Sequence, residues 1–103
     1  MILVSDPGLQ NKTIKDEITS AVNQVIDSGW YILGQEVEKF EKDFAFYCRT
    51  TRCVGLGNGT DAISSSLMAL GIKAGDEVIC PSLTATFTAL AISAIGAVPV
   101  FAD

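Results

Sequence analysis

The sequence contains no histidine, which excludes His-dependent nucleophile triads and His general bases together. Its three cysteines, Cys48, Cys53 and Cys80, form no CxxC pair. Without histidine, three thiols cannot close the usual four-ligand zinc site, so no metal is expected and the cysteines read as small buried hydrophobes. Charge is also scarce. Charged residues make up 18% of the chain, where soluble chains usually carry about 25%. Seven Lys and Arg stand against twelve Asp and Glu, for a net charge of -5. No basic cluster is present to grip a phosphate backbone, so nucleic acid is not an expected partner. Long hydrophobic runs are missing too. The most apolar stretch, Ala89 to Ala102, is interrupted by Ser93, Gly96 and Pro99 and falls short of the roughly 20 residues a membrane span needs. Met1 to Val4 lacks the basic flank of a signal peptide. These absences together indicate a cytoplasmic protein with no membrane partner.

Apolar residues, by contrast, are plentiful: 49% of 103 residues, with a mean hydropathy of +0.38. A small domain has the most surface for its volume and should be more polar than average. Disorder is disfavoured, since it needs low hydrophobicity and high charge. The excess implies burial against a partner, of which a second copy is the simplest. A dimer or higher oligomer is expected to cover Phe87, Leu90 or Ile95, or the aromatics Trp30 and Tyr31.

Periodicity sets out two helices followed by β-α-β-α-β. The spacing predicts a helix over residues 13–28, with Thr13 as N-cap, Asp16 in the first turn and Gly29 as the stop. Ile14, Ile18, Ala21, Val22, Val25 and Ile26 form one stripe on it. A second helix over 35–47 carries Val37, Phe40, Phe44 and Tyr47 as a core face. Short apolar runs predict strands at 52–56, 77–80 and 98–101, and helices at 60–70 and 86–95 lie between them. Strands that alternate with helices form right-handed crossovers in a parallel sheet. The chain divides into an N-terminal helical segment, 1–50, and the start of a parallel-sheet domain, 51–103. Three strands cannot make a well-covered parallel sheet, and Asp103 follows directly on a strand, so the pattern reads as the N-terminal piece of a larger α/β protein.

The chemistry-bearing feature is a strand followed by Gly57-Asn58-Gly59-Thr60-Asp61-Ala62 and then a helix. Glycines allow close backbone approach, the first helical N–H groups lack partners, and the helix dipole adds partial positive charge. The Thr60 hydroxyl adds a donor, and together these make a phosphate cradle. The same residues also fit a plain turn with Thr60 or Asp61 as N-cap. Two named motifs fail. The dinucleotide fingerprint would use Gly55 and Gly57 but meets Thr60 at its third glycine, and the P-loop needs a Gly-Lys pair that is absent. The carboxylate of Asp61 disfavours an anion unless it turns away.

Several motifs occur in one order: Gly29-Trp30-Tyr31-Ile32-Leu33-Gly34-Gln35-Glu36-Val37, Phe40-Glu41, Asn58-Gly59-Thr60-Asp61-Ala62, Gly75-Asp76-Glu77-Val78-Ile79, Pro81-Ser82-Leu83-Thr84 and Gly96 to Asp103. This order resembles the N-terminal part of the DegT/DnrJ/EryC1/StrS family of pyridoxal-phosphate-dependent sugar aminotransferases, from near residue 13 to the last residue. The resemblance implies the N-terminal portion of the large domain of a type I aminotransferase fold. It also implies a homodimer with shared active sites, and pyridoxal 5'-phosphate as cofactor. The activity it implies is amino transfer from glutamate to a nucleotide-linked keto-sugar, for secondary-metabolite or surface polysaccharide sugars, lipopolysaccharide included. Gly59, Thr60 and Asp61 match the family's turn for the cofactor phosphate. Trp30, Tyr31 and Gly34 match the segment near the active-site mouth. The family usually stacks an aromatic residue on the pyridine ring at the position of Ala85; here either Phe87, two residues later, covers the ring after a local shift, or another group does, or the stacking is lost. The resemblance further implies that the cofactor-anchoring lysine and the acidic partner of the pyridinium nitrogen lie beyond Asp103. Lys12, Lys15, Lys39, Lys42 and Lys73 match neither, so no catalytic residue is assigned in this chain. On its own the chain is expected to be inactive, with weak or no cofactor binding. Two other readings remain at this stage: a non-catalytic oligomerising domain, and a small phosphate- or nucleotide-binding α/β module.

Overall fold

The computed structural model describes residues 5–103, with Gln10 described by its backbone alone. The reading of Met1 to Val4 lies outside the described residues. The chain forms two compact units, Met1–Val54 and Gly55–Asp103. No helix among the described residues is long and apolar enough to cross a membrane.

The first unit is helical, with α1 at Pro7–Thr13, α2 at Lys15–Ser28 and α3 at Gln35–Cys48. Helix α1 was not expected from periodicity. It is set by local chemistry: the Leu9 N–H donates to Asp6 Oδ1 at 3.1 Å, and Pro7 occupies the first turn, where its missing N–H costs nothing. Thr13 is therefore the last residue of α1 and not the cap of the next helix. Ile14 takes that position and supplies no side-chain bond. Gly29 closes α2 in the left-handed region at φ 66°, as expected of a C-terminal glycine.

The predicted core faces of α2 and α3 do not form a core within this unit. Ile14, Ile18, Val22 and Ile26 are exposed and Val25 is half-buried. On α3, Val37 is half-buried, but Phe40, Phe44 and Tyr47 are exposed and stack along their own helix. Their ring centroids lie 5.5 Å apart for Phe40 and Phe44, and 6.2 Å apart for Phe44 and Tyr47. Residues three and four apart meet on one helix without any second element, so a periodic stripe guarantees a face but not a cover. Cys48 is exposed and Cys53 half-buried, so the expectation of buried cysteines holds only for Cys80.

The second unit contains α4 at Gly59–Ala69, β1 at Glu77–Pro81, α5 at Phe87–Ala94 and β2 at Val98–Ala102. The two strands pair in parallel, in a register running from Glu77 opposite Val98 to Pro81 opposite Ala102. Backbone bonds extend the ladder beyond both ends, from Val98 N–H to the Asp76 carbonyl at 2.8 Å and from Ser82 N–H to the Ala102 carbonyl at 3.0 Å. Helix α5 packs on α4 and on both strands. Cys80, Ile92 and Ala97 form the buried centre, with Leu67, Ile72, Val78 and Ile95 packed around it. Fully burying one side chain such as Ile92 contributes about 1.5–3 kcal/mol. Ile95 thus belongs to this core, whereas Phe87 and Leu90 stay exposed.

Among the described residues, no strand forms at the expected 52–56, and Val54 is 72% exposed. A strand exists through its backbone pairing, and the sheet here consists of β1 and β2 alone among the described residues. The α/β class stands, as helix α4 followed by one β-α-β unit.

Candidate functional site

The N-terminus of α4 is built by Asn58. Its Oδ1 accepts the Asp61 N–H at 2.9 Å, and its Nδ2 donates to Asp61 Oδ2 at 2.8 Å. The first bond caps the helix. The second ties the Asp61 carboxylate to the cap side chain, where Asp61 still borders the cleft. The Asp61 N–H is consequently taken. The N–H groups of Gly59 and Thr60, the first two residues of α4, have no acceptor among the described residues. With the half-buried Thr60 hydroxyl they form the donor set at the positive end of the helix dipole.

Gly59 has no conformational reason to be glycine. It does not adopt a positive φ, and a Cβ built on it would meet no protein atom within 4 Å. A side chain there would project into open space at the start of α4. The bare backbone thus fits close approach by a ligand, not a demand of the turn.

This donor set opens onto a cleft of about 610 Å³, lined by Asn58, Gly59, Thr60, Asp61, Ile63, Ala85, Phe87 and Thr88. All four residues that the sequence proposes for the cofactor, Gly59, Thr60, Asp61 and Phe87, border it. Phe87 begins α5 and is exposed, so its ring is available to a flat apolar ligand. Ala85 also lines the cleft, without bulk. Sequence reasoning missed Asn58, Ile63 and Thr88. Of these, Asn58 carried a readable signal, since asparagine just ahead of a helical run is a favoured N-cap.

In the first unit, a second cleft of about 420 Å³ gathers Trp30, Tyr31 and Gly34 with Gln24, Gln35 and Glu36. The link between α2 and α3 is held locally. Trp30 Nε1 donates to the Ile32 carbonyl at 2.7 Å, and the Trp30 N–H donates to Ser28 Oγ at 3.1 Å. The Tyr31 hydroxyl donates to the Ile26 carbonyl at 3.4 Å. Leu33 adopts φ 50°, and a Cβ on the buried Gly34 would lie 3.0 Å from the Trp30 carbonyl oxygen. Gly34 therefore lets this tight link close. The indole N–H is used within the link, so the ring forms a fixed wall.

A helix N-terminus with two unpaired N–H groups borders the same cleft as an exposed aromatic side chain, next to a parallel β-α-β unit, and the second unit is of the α/β class. Comparison with known proteins specifies it further. The sequence profile of the DegT/DnrJ/EryC1/StrS aminotransferase family matches residues 12–103, and the chain belongs to that family. It is 50% identical over 93 residues to dTDP-3-amino-3,6-dideoxy-alpha-D-galactopyranose transaminase of Aneurinibacillus thermoaerophilus, a match covering 90% of this chain and 26% of that protein. A DegT DnrJ EryC1 StrS aminotransferase from Brucella abortus superimposes with a TM-score of 0.92 at 38% identity, over 100% of this chain and 28% of that one. NtdA from Bacillus subtilis, solved with bound cofactor PMP, superimposes with a TM-score of 0.81 at 35% identity, over 85% of this chain and 20% of that one. The fold is thus that of a portion of these aminotransferases, and the chain spans about a quarter of the length of the relatives it matches.

Proposed function

We propose that this chain forms the phosphate- and ring-binding part of a pyridoxal-phosphate-dependent aminotransferase, which moves an amino group from glutamate to a nucleotide-linked keto-sugar. The observation that carries this reading is the meeting of Gly59, Thr60 and Phe87 at one cleft. When bound, the cofactor supplies the electron sink for amino transfer. The residues of this chain bind and orient. The Gly59 and Thr60 N–H groups and the Thr60 hydroxyl hold the phosphate. Phe87 gives the ring an apolar wall and keeps water from that side. Asn58 ties the Asp61 carboxylate to the cap. Trp30, Tyr31 and Gly34 border the substrate. The sugar specificity of the relatives supports a nucleotide-sugar substrate, with products feeding polysaccharide or secondary-metabolite sugars. The exposed Trp30, Tyr31 and Phe87 support a homodimer, and we place the protein in the cytoplasm.

The test is an amide chemical-shift titration with inorganic phosphate and with pyridoxal phosphate. Each donor to a charged acceptor contributes about 1.5–3 kcal/mol, and ligand capture offsets much of this. Binding to this chain is expected at millimolar concentration. Both ligands should move the amides of Gly59 and Thr60, and only pyridoxal phosphate should also move Ala85 and Phe87. Thr60→Ala should weaken binding, and Gly59→Val should abolish it by blocking close approach to the backbone. Phosphate-induced shifts that lie away from residues 57–62 would overturn the reading.

A further inference from the structure

Two helices form the walls of the phosphate cleft, and one side-chain hydrogen bond joins them. Thr60 stands in the first turn of α4, and Phe87 begins α5. Ser64 follows Thr60 by one helical turn, and Ala91 follows Phe87 by one turn. Each therefore lies on the same helix face as its partner, about 6 Å further along the axis. At that level the half-buried Ser64 Oγ donates to the Ala91 carbonyl oxygen at 3.0 Å. Ala91 is fully buried. Ser66, two residues further on, behaves differently. Its exposed hydroxyl turns back to the Ala62 carbonyl of its own helix at 2.7 Å, the common habit of a helical serine. Ser64 directs its hydroxyl across to the neighbouring helix, where partial burial strengthens the bond.

We infer that Ser64 is a positioning residue, whose bond to Ala91 sets the spacing between the phosphate donors on α4 and Phe87 on α5. The inference rests on the cofactor reading of this cleft. It separates two classes of ligand. Inorganic phosphate meets donors of α4 alone and is indifferent to the position of α5. A phosphate ester carrying an aromatic ring spans both walls and needs them at a fixed distance. Ser64 thus acts on the ring-bearing ligand selectively, without touching it.

The experiment titrates the full chain with inorganic phosphate and with pyridoxal phosphate, following amide shifts, for the native sequence, S64A, S64T, S66A, F87A and S64A/F87A. In S64A the phosphate affinity should stay within about twofold, while the advantage of pyridoxal phosphate over phosphate falls about fivefold, the loss expected from one hydrogen bond. S64T should restore it and S66A should leave it unchanged. In the F87A background, S64A should have no further effect. Spectral dispersion reports folding, and Ser64→Cys, close in volume and a weak donor, is the second variant should S64A unfold. Equal weakening of both ligands, or an unchanged ratio while phosphate still moves Gly59 and Thr60, overturns the positioning role alone. If phosphate moves neither amide in the native chain, the cofactor reading falls, and this inference with it.

Discussion

In the second unit Ile92 is 1% exposed and Ala91 is fully buried, at the centre of packing between two helices and two strands. In the first, no described side chain larger than Ala45 is buried, although α2 and α3 carry as many apolar residues on their stripes. The difference lies in the neighbours, not in hydrophobicity. The second unit alternates helix and strand, so each apolar face meets another. The first consists of helices whose stripes stay largely exposed; on α3 the rings of Phe40, Phe44 and Tyr47 meet one another along their own helix, and α2 has no ring on its stripe. Burial, and the stability that comes with it, follows element alternation.

The contrast can be broken most directly by matched truncations. Ile92→Ala should cost about 2–5 kcal/mol, while Ile18→Ala on the exposed stripe of α2 should cost less than about 1 kcal/mol. Urea unfolding of both variants checks this, and equal costs would erase the distinction. Next come the left-handed glycines. Gly96 has φ 78°, and a Cβ there would lie 2.9 Å from Ala74 Cβ; Gly29 has φ 66° with open space around it. Each substitution by alanine carries about 1–2 kcal/mol of backbone strain, and Gly96→Ala adds overpacking of about 1–3 kcal/mol. Thermal unfolding should therefore rank Gly96→Ala below Gly29→Ala. Smaller still is the loss of a cap. Asn58→Ala should cost about 1 kcal/mol, and hydrogen exchange should show fraying at the start of α4 where the Asp61 N–H loses its acceptor.

The smallest effect belongs to the first unit. Lys42 Nζ lies 2.7 Å from Glu38 Oε1 on the exposed side of α3. This hydrogen bond, and then the Lys42 charge, hold the Glu38 carboxyl below the usual glutamate range. Because the folded value is the lower one, the stabilisation is present at neutral pH, above the unfolded value, and is lost as pH falls through the folded one. Both groups are solvated, so salt screens the pair. Lys42→Gln should move the Glu38 titration upward in a carboxyl-detected NMR experiment, with no resolvable change in unfolding midpoint.

Most elements were legible because their signals are local. Periodicity located α2 to α5, and short runs of β-branched residues located β1 and β2. Helix α1 went unread because it has no apolar stripe, although Asp6-Pro7 is a helix-start pattern. Residues 52–56 have strand composition, but strand state is conferred by a ladder, and neither β1 nor β2 pairs with them. At the cleft, Gly59, Thr60 and Asp61 are contiguous and readable as a group. The Asn58 cap was hidden by reading Gly57 to Thr60 as a turn. That Phe87 and Thr60 line one cleft, and that Ser64 reaches Ala91, depends on how two distant helices cross, which no local spacing reports.

The parallel register of β1 and β2 has a consequence for how the second unit forms. Every rung, from Glu77–Val98 to Pro81–Ala102, joins residues at one constant separation along the chain, bridged by α5. A single loop closure therefore fixes all rungs at once, and later rungs carry little further entropic cost. In an antiparallel hairpin, zipping starts at the turn; here nothing pairs until the crossover helix has brought the strands together. During synthesis β1 cannot pair with β2 until Val98 has been made, and chain elongation, at roughly 5–20 residues per second, sets how long that interval lasts, because a helix such as α5 forms in about a microsecond.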